Sequence, residues 1–150
     1  MANKINILLT CVGGGLVPRA IDILKSSDEV DFRIVGIDTS AEAVGARFCD
    51  KFYQAPMGES SDYSDFLIEL CKKEHIEVLI PWSDEEALSV ALARGEFEKN
   101  GVAVAAPPSK VVKMAHNKAD VLDYLKENNV PVPEYRRANT PEELIVAARE

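Results

Sequence analysis

The feature that most constrains the fold is an apolar run that stops at three consecutive glycines near the start of the chain. Residues 5–12 read Ile-Asn-Ile-Leu-Leu-Thr-Cys-Val, and Gly13, Gly14 and Gly15 follow directly. An almost continuous apolar run is typical of a strand buried on both faces of a parallel sheet. Apolar residues then recur at helical spacing over residues 16–24. The stretch predicts a buried strand, a tight turn and a helix, with the turn at the sheet edge where α/β proteins bind ligands.

Strand and helix signals continue to alternate along the chain. Further strands are predicted at residues 32–37, 51–55, 78–80 and 102–106, and helices at residues 41–48, 63–71 and 84–99. Such alternation is typical of a parallel sheet covered on both faces, with right-handed crossovers. The predicted fold class is therefore α/β: a Rossmann-like three-layer domain with about five parallel strands.

The pattern changes after residue 107, where no further strand is predicted. Helices are expected at residues 109–115, at residues 118–128 and from residue 141 onward, with Ser109, Asn117 and Thr140 as caps and Asp120 completing a capping-box-like pair. The last helix has an apolar face and no stop signal, so we expect a truncated chain. Residues 1–107 should form one domain, and residues 108–150 a helical linker that leads into a truncated second domain.

Charge and cysteine content exclude several classes of function. The formal net charge is -8, and such a surface repels phosphate backbones, so no nucleic-acid partner is expected. Cys11, Cys49 and Cys71 form no C-x-x-C pair, so neither a zinc site nor a disulfide framework is indicated. Neither a signal peptide nor an apolar run of membrane-spanning length is evident. We therefore expect a cytoplasmic protein without a membrane partner, and we predict no catalytic or metal-binding residue.

The glycine loop allows three interpretations. The G-x-G-x-x-G fingerprint of dinucleotide binding has its first two glycines here, but Pro18 stands at the third position. Asp38 ends the second strand, roughly where a ribose-binding acid would lie, so an NAD(P)-binding module is one alternative. Another is that the amides of residues 14–16 face a different ligand at a helix N-terminus. The third is a turn without a ligand, which would suit a non-catalytic interaction domain.

Two other places could contact a ligand. Residues 82–86 follow the fourth strand at the same sheet edge as the glycines, and Glu85 is a candidate there, although acids in a first helical turn also simply stabilise the helix. Lys118 follows the predicted cap Asn117, at the positive end of a helix. A cation is disfavoured there unless an anion such as phosphate lies close by, and the alternative is a solvated surface lysine.

Taken together, these features resemble the front of an ATP-grasp ligase. The likeness extends over essentially the whole chain, and its most specific part is residues 117–133, Asn-Lys-Ala-Asp-Val-Leu-Asp-Tyr-Leu-Lys-Glu-Asn-Asn-Val-Pro-Val-Pro. Within that family, the sequence looks most like short proteins named after the carbamoyl-phosphate synthase large subunit. The one departure in this stretch is Asn117, which stands where the family more often has aspartate.

The resemblance implies a division of roles within the chain. Residues 1–107 would be the pre-ATP-grasp domain, which commonly contributes to the acceptor-substrate site. The substrate-facing candidates are Gly13, Gly14, Gly15, Asp38 and Glu85. Lys118 matches the family's ATP-contacting lysine.

The resemblance also implies the chemistry of the parent protein. With ATP and magnesium, a carboxylate would be activated as an acyl phosphate and attacked by an amine or similar nucleophile. The partner is then a small-molecule carboxylate or amine, and a homodimer is left open. Because the family's ATP-clamping lobes do not occur in these 150 residues, we expect this piece alone to be inactive and to bind no cofactor stably.

Overall fold

A parallel five-stranded sheet with helices on both faces forms the first of two compact units in a computed structural model that describes residues 3–149. The first unit ends at Val112 and the second begins at Lys113. The elements are β1 (Asn3–Leu9), α1 (Val17–Lys25), β2 (Val30–Asp38), β3 (Lys51–Gln54), α2 (Tyr63–Glu74), β4 (Val78–Ile80), α3 (Asp84–Leu92), α4 (Arg94–Lys99), β5 (Ala103–Val104), α5 (Ser109–Ala115), α6 (Lys118–Glu127) and α7 (Pro141–Ala147). The predicted α/β fold class and the five parallel strands are confirmed. The predicted functional boundary at residue 107 stays a prediction.

The order of the strands across the sheet is β3-β2-β1-β4-β5, and all pairs are parallel. The central strand β1 pairs with β2 on one side, where Leu8 is opposite Val35, and with β4 on the other, where Leu8 is opposite Leu79. The strand order therefore reverses between β1 and β4. In open α/β sheets this is the point where ligands bind, outside the carboxyl ends of the strands.

The two faces of the sheet carry separate hydrophobic clusters because side chains alternate along each strand. On one face, Leu8 packs in a cluster with Leu67 of α2 and Phe97 of α4. On the other, Ile7 and Leu9 pack in a cluster with α1, whose buried residues are Val17 and Ile21. The three-layer arrangement predicted from the sequence follows from this division.

At two places the structure does not contain the single helix that the sequence predicts. Residues 84–99 form not one helix but two, α3 and α4, which meet at Ala93. This break allows Phe97 to be fully buried and Arg94 to donate to the carbonyl oxygen of Val104 at 3.1 Å. Residues 41–48 contain only a short 3-10 turn, Val44–Arg47, in which the Gly45 amide donates to the carbonyl oxygen of Val12 at 3.0 Å.

A buried carboxylate ties α2 to the amino-terminal half of the sheet. Glu74, the last residue of α2, is 5% exposed at its side chain. It accepts from Arg33 of β2 at 2.5 Å, from Lys51 at the start of β3 at 2.7 Å, and from the Tyr53 hydroxyl. One helix and two strands therefore converge on a single buried charge.

Hydrogen bonds at the N-terminus of α6, and from α6 to Arg137, stabilise the second unit. Asn117 Oδ1 accepts from the amides of Ala119 at 3.0 Å and Asp120 at 3.3 Å, so the predicted cap is confirmed. The expected return bond from Asp120 is wrong, because the Asn117 amide donates to Met114 and Asp120 instead accepts from Arg137 at 2.7 Å.

Within residues 3–149, no helix is both long enough and apolar enough to span a membrane.

Candidate functional site

A cleft of about 310 Å³ opens at the carboxyl edge of the sheet. The segments that follow β1, β2, β3 and β4 all contribute to its wall, because the carboxyl ends of parallel strands meet at one edge. The lining residues are Cys11, Asp38, Thr39, Met57, Gly58, Glu59, Ser83, Glu85 and Glu86. Of the residues predicted from the sequence, the structure places Asp38 and Glu85 in this cleft.

The glycine loop is joined to the cleft through Asp38. Gly13 donates its amide to Asp38 Oδ2 at 2.7 Å, and the Ser40 amide donates to Oδ1 at 2.9 Å. A Cβ at Gly13 would lie 2.9 Å from Asp38 Oδ2, which is closer than real Cβ atoms approach. Glycine therefore permits the carboxylate to close on the loop, and Asp38 serves to hold the backbone of two loops.

The expectation that the amides of residues 14–16 all face a ligand is wrong for Gly14. Its amide donates to the carbonyl oxygen of Cys11 at 3.1 Å and is consumed by the turn. Gly15 is exposed, and a Cβ there would meet no atom within 4 Å. The loop thus has an internal structural role, and its open part is confined to Gly15 and the neighbouring Leu16.

Negative charge dominates the cleft. Four of its lining residues carry carboxylates (Asp38, Glu59, Glu85 and Glu86), and the lining contains no lysine, arginine or histidine. Among residues 3–149, no group of three His, Cys, Asp or Glu side chains could hold a metal ion. A field of this sign attracts cations and repels phosphate groups. The cleft therefore suits an organic cation such as an ammonium group.

Glu86 is the carboxylate most firmly built into the site. It is 7% exposed, and its Oε2 accepts from the Thr10 hydroxyl at 2.5 Å. The Thr10 oxygen in turn accepts from the amide of Trp82 at 2.9 Å. This chain of bonds joins β1 to the loop after β4, at the point where the strand order reverses. Sequence reasoning singled out Glu85 and missed Glu86; the available signal was Thr10, a polar residue inside an apolar run.

Cys11 lines the cleft but lacks the character of a nucleophile. Its backbone adopts φ 50, in the left-handed region that is uncommon for a residue with a side chain. Burial raises the pKa of its thiol, and the charges of Glu86, Asp38 and Glu85 raise it further. Reactive cysteines need the opposite, an electropositive surrounding that favours the thiolate. Cys11 is therefore a neutral part of the wall.

Lys118 belongs to the second unit, whereas Gly13, Asp38 and Glu85 belong to the first. It is the exposed first residue of α6, directly after the cap Asn117. None of the ion pairs within residues 3–149 involves it. A cation at a helix N-terminus, where backbone amides also point outward, is suited to an anion.

Comparison with known proteins identifies the family. The family model described as PylC-like, N-terminal domain, matches residues 7–105. The chain belongs to this family. Together with the solved structures below, the match confirms the resemblance to the pre-ATP-grasp section of ATP-grasp ligases. No curated protein matches the sequence significantly.

Solved structures share the fold of this PylC-like domain. N5-carboxyaminoimidazole synthetase from Staphylococcus aureus, complexed with ADP, is 12% identical with a TM-score of 0.65, over 99% of this chain and 37% of that one. The biotin carboxylase domain of Hydrogenobacter thermophilus 2-oxoglutarate carboxylase is 18% identical with a TM-score of 0.60, over 96% of this chain and 32% of that one. The PylC-like chain thus spans about a third of the length of these proteins, and at such identities the likeness shows the fold alone.

The geometry of the PylC-like domain argues against the NAD(P) alternative. A dinucleotide would place its pyrophosphate on the glycine loop and its ribose on Asp38. Here the Gly13 amide is already bonded to the Asp38 carboxylate, and the adjoining cleft carries three more carboxylates. A pyrophosphate on this loop would have to displace one carboxylate and bear the repulsion of the others.

Proposed function

We propose that this PylC-like domain is the substrate-side section of an ATP-dependent ligase of the ATP-grasp type, and that its cleft holds the amine acceptor. The observation that carries the proposal is the cleft at the strand-order reversal, with four carboxylates and no cation in its lining. Such a cleft attracts an ammonium group and repels the phosphates of ATP. Nucleotide and acceptor would therefore bind at places of opposite charge.

The proposed reaction joins a carboxylate to an amine. An oxygen of the carboxylate attacks the γ-phosphorus of ATP, ADP leaves, and an acyl phosphate forms. The ammonium group loses one proton to water and its nitrogen attacks the acyl carbon; phosphate leaves, a second proton passes from the nitrogen to water, and an amide bond remains. The acidic cleft would hold the amine in its protonated form until the acyl phosphate is ready, which limits premature side reactions.

Lys118 fits the role of a phosphate contact because it is exposed, cationic and placed at a helix N-terminus. Magnesium, when bound with ATP, would neutralise phosphate charge, and residues 3–149 contain no cluster that could hold it. The fold neighbours support nucleotide use, since one was solved with ADP and another with MgADP and bicarbonate. The latter was solved as a dimer, and a homodimer is part of the proposal for the parent.

A narrower version of the proposal is a reaction like that of carbamoyl-phosphate synthase. The acidic cleft favours an organic amine over ammonia as the acceptor. Four carboxylates line the cleft, and a molecule as small as ammonia could contact only some of them. We place the ligase in the cytoplasm, where its free thiols Cys11, Cys49 and Cys71 would stay reduced.

The reaction can be tested in the full-length parent with ATP, a panel of carboxylates and hydroxylamine. We expect ADP release that depends on one carboxylate, together with a hydroxamate that marks the acyl phosphate. The 150-residue chain alone should release no ADP. ADP release by this chain, or micromolar binding of NADH to it, would overturn the proposal.

Substitution of Lys118 tests the nucleotide contact. In the parent, Lys118→Ala should raise the KM for ATP about tenfold, as expected for the loss of one charge-assisted contact to phosphate. The matched control is Lys126→Ala, which removes the same charge from the other end of α6. An ATP KM and kcat that stay unchanged in Lys118→Ala would rule out the assigned role.

A further inference from the structure

The chain leaves the sheet of the first unit through a short segment, residues 104–108, which we call the exit segment. The Ala105 amide still donates to the carbonyl oxygen of Leu79 in β4, at 2.9 Å. Pro107 and Pro108 follow, and a proline has no amide hydrogen to donate. The two prolines can therefore take part in hydrogen bonds only through their carbonyl oxygens, and strand pairing cannot hold them.

Arg94 binds three of the carbonyl oxygens in the exit segment. Its Nη1 donates to Val104 at 3.1 Å, and its Nη2 donates to Ala106 and, at 3.4 Å, to Pro107. The Arg94 side chain is 29% exposed, and Glu98, one turn along α4, lies 3.5 Å from its Nη1. A guanidinium presents its donors in a planar, fixed fork. One side chain therefore fixes the path of the backbone through the exit segment.

The same arginine is connected to the wall of the cleft through α3. Arg94 directly follows Ala93, where α3 ends, and Phe97 on the next turn is fully buried and holds α4 in the core. At the other end of α3, the Ser83 hydroxyl accepts from the amide of Glu86 at 3.3 Å, and both residues line the cleft. The nine residues of α3 thus separate the cleft wall from the residue that binds the exit segment.

The exit segment in turn holds the start of α5. The amides of Val111 and Val112 donate to the carbonyl oxygen of Pro108 at 2.8 and 3.1 Å, and Val112 is buried. The first unit ends at Val112, and from Lys113 onward the chain belongs to the second unit. The connection from the cleft wall through Arg94 therefore extends to the last residue of the first unit.

We propose that Arg94 joins the wall of the cleft and the exit segment into one rigid body, so that the chain can bend only beyond Val112. Lys118 lies shortly after that point in the sequence, whereas Asp38 and Glu85 lie before it. Under the proposed function, a single hinge would then bring the nucleotide contact toward the amine. The position of the hinge can be measured in the 150-residue chain without ATP or an amine, so its failure is distinct from failure of the proposed function.

Limited digestion with trypsin tests the position of the hinge, because lysines lie on both sides of it. Lys110, Lys113 and Lys118 are all exposed, so the rate of cleavage at each depends on local opening of the backbone. In wild type we expect early cleavage after Lys113 or Lys118 and none after Lys110. Arg94→Ala should add cleavage after Lys110, which mass spectrometry detects as a fragment of residues 1–110. Early cleavage after Lys110 in wild type, or its absence in Arg94→Ala, would overturn the inference.

Amide hydrogen exchange followed by NMR separates a local effect from a general loss of stability. In Arg94→Ala, the Val112 amide should exchange about tenfold faster or more, because hydrogen bonds from a charged group to the exit segment are lost. The Ala87 amide in α3 should change by less than about twofold. Arg94→Lys keeps the charge but not the planar fork and should restore only part of the protection. The control Lys99→Ala removes an exposed ion pair with Glu96 and should change neither amide. Equal acceleration at Val112 and Ala87 would show that Arg94 supports stability alone and would contradict the proposed role.

Discussion

Gly45→Ala is expected to destabilise the first unit by at least about 3 kcal/mol, because its new methyl group would overlap backbone rather than a movable side chain. A Cβ at residue 45 would overlap the carbonyl oxygen of Val12 and lie 2.9 Å from its carbonyl carbon. The Gly45 amide donates to that same oxygen, and the Val12 amide donates to Ile37. The substitution would thus force apart the segment that precedes the glycine loop and the 3-10 turn. Urea unfolding followed by circular dichroism measures the loss.

Gly95→Ala is the matched control for this prediction. Gly95 lies within α4, and a Cβ there would meet no atom within 4 Å. Replacing an unobstructed helical glycine by alanine should stabilise the protein by about 0.5–1 kcal/mol. A Gly45→Ala protein whose unfolding free energy stayed within 1 kcal/mol of wild type would show that the close approach at Val12 is wrong.

Glu74→Gln is expected to lower the unfolding free energy by about 2–3 kcal/mol, since it leaves cations around a buried site without their counter-charge. Arg33 and Lys51 both bond to this carboxylate, together with the Tyr53 hydroxyl. The control on the same helix is Glu69→Gln, which removes an ion pair with Lys72 from a side chain that is 76% exposed. Exposed pairs contribute little, so that variant should stay within about 0.5 kcal/mol of wild type. Equal effects of the two substitutions would contradict the assignment of the buried cluster.

The same cluster predicts how stability depends on pH. Burial alone would raise the pKa of Glu74, but hydrogen bonds from Lys51, Tyr53 and Arg33 outweigh it and lower the pKa from 4.5 to about 2. A carboxyl group with a lower pKa in the folded state contributes stability above its unfolded pKa and loses it as the pH falls. Wild type should therefore lose its advantage over Glu74→Gln between about pH 4.5 and pH 2. A difference that stayed constant over that interval would argue against an ionised Glu74.

Much of the fold could be predicted because buried parallel strands and amphipathic helices leave direct marks in the sequence. β4 agrees with the prediction to the residue. α5 ends at Ala115 as predicted, but it begins at Ser109 itself, the residue that was expected to cap it. The predicted ends of helices and strands were wrong where tertiary contacts determine them. The break at Ala93 depends on burying Phe97 and on Arg94 reaching the strand beside it, and hydrophobic spacing carries no information about either. β1 ends at Leu9, not at residue 12, because Cys11 turns into the left-handed region although the run remains apolar.

The site could be predicted only in part. The sheet edge followed from the strand pattern, and with it the neighbourhood of Asp38 and Glu85. Glu86 could not be told from its acidic neighbours, because three acids in a first helical turn look alike until the packing decides which one is buried. The apolar spacing of α2 places Tyr63 at a core position, and its side chain is fully buried.

The position of the Glu74 cluster has a consequence for how such domains diversify. Glu74 and its partners Arg33 and Lys51 tie the sheet from its amino-terminal side, whereas the cleft opens at the carboxyl edge. Substitutions in the loops that line the cleft can therefore change its shape and charge without weakening this stabilising cluster. Under the proposed function, lineages with this scaffold would have room to change their amine acceptor while the fold itself remained intact.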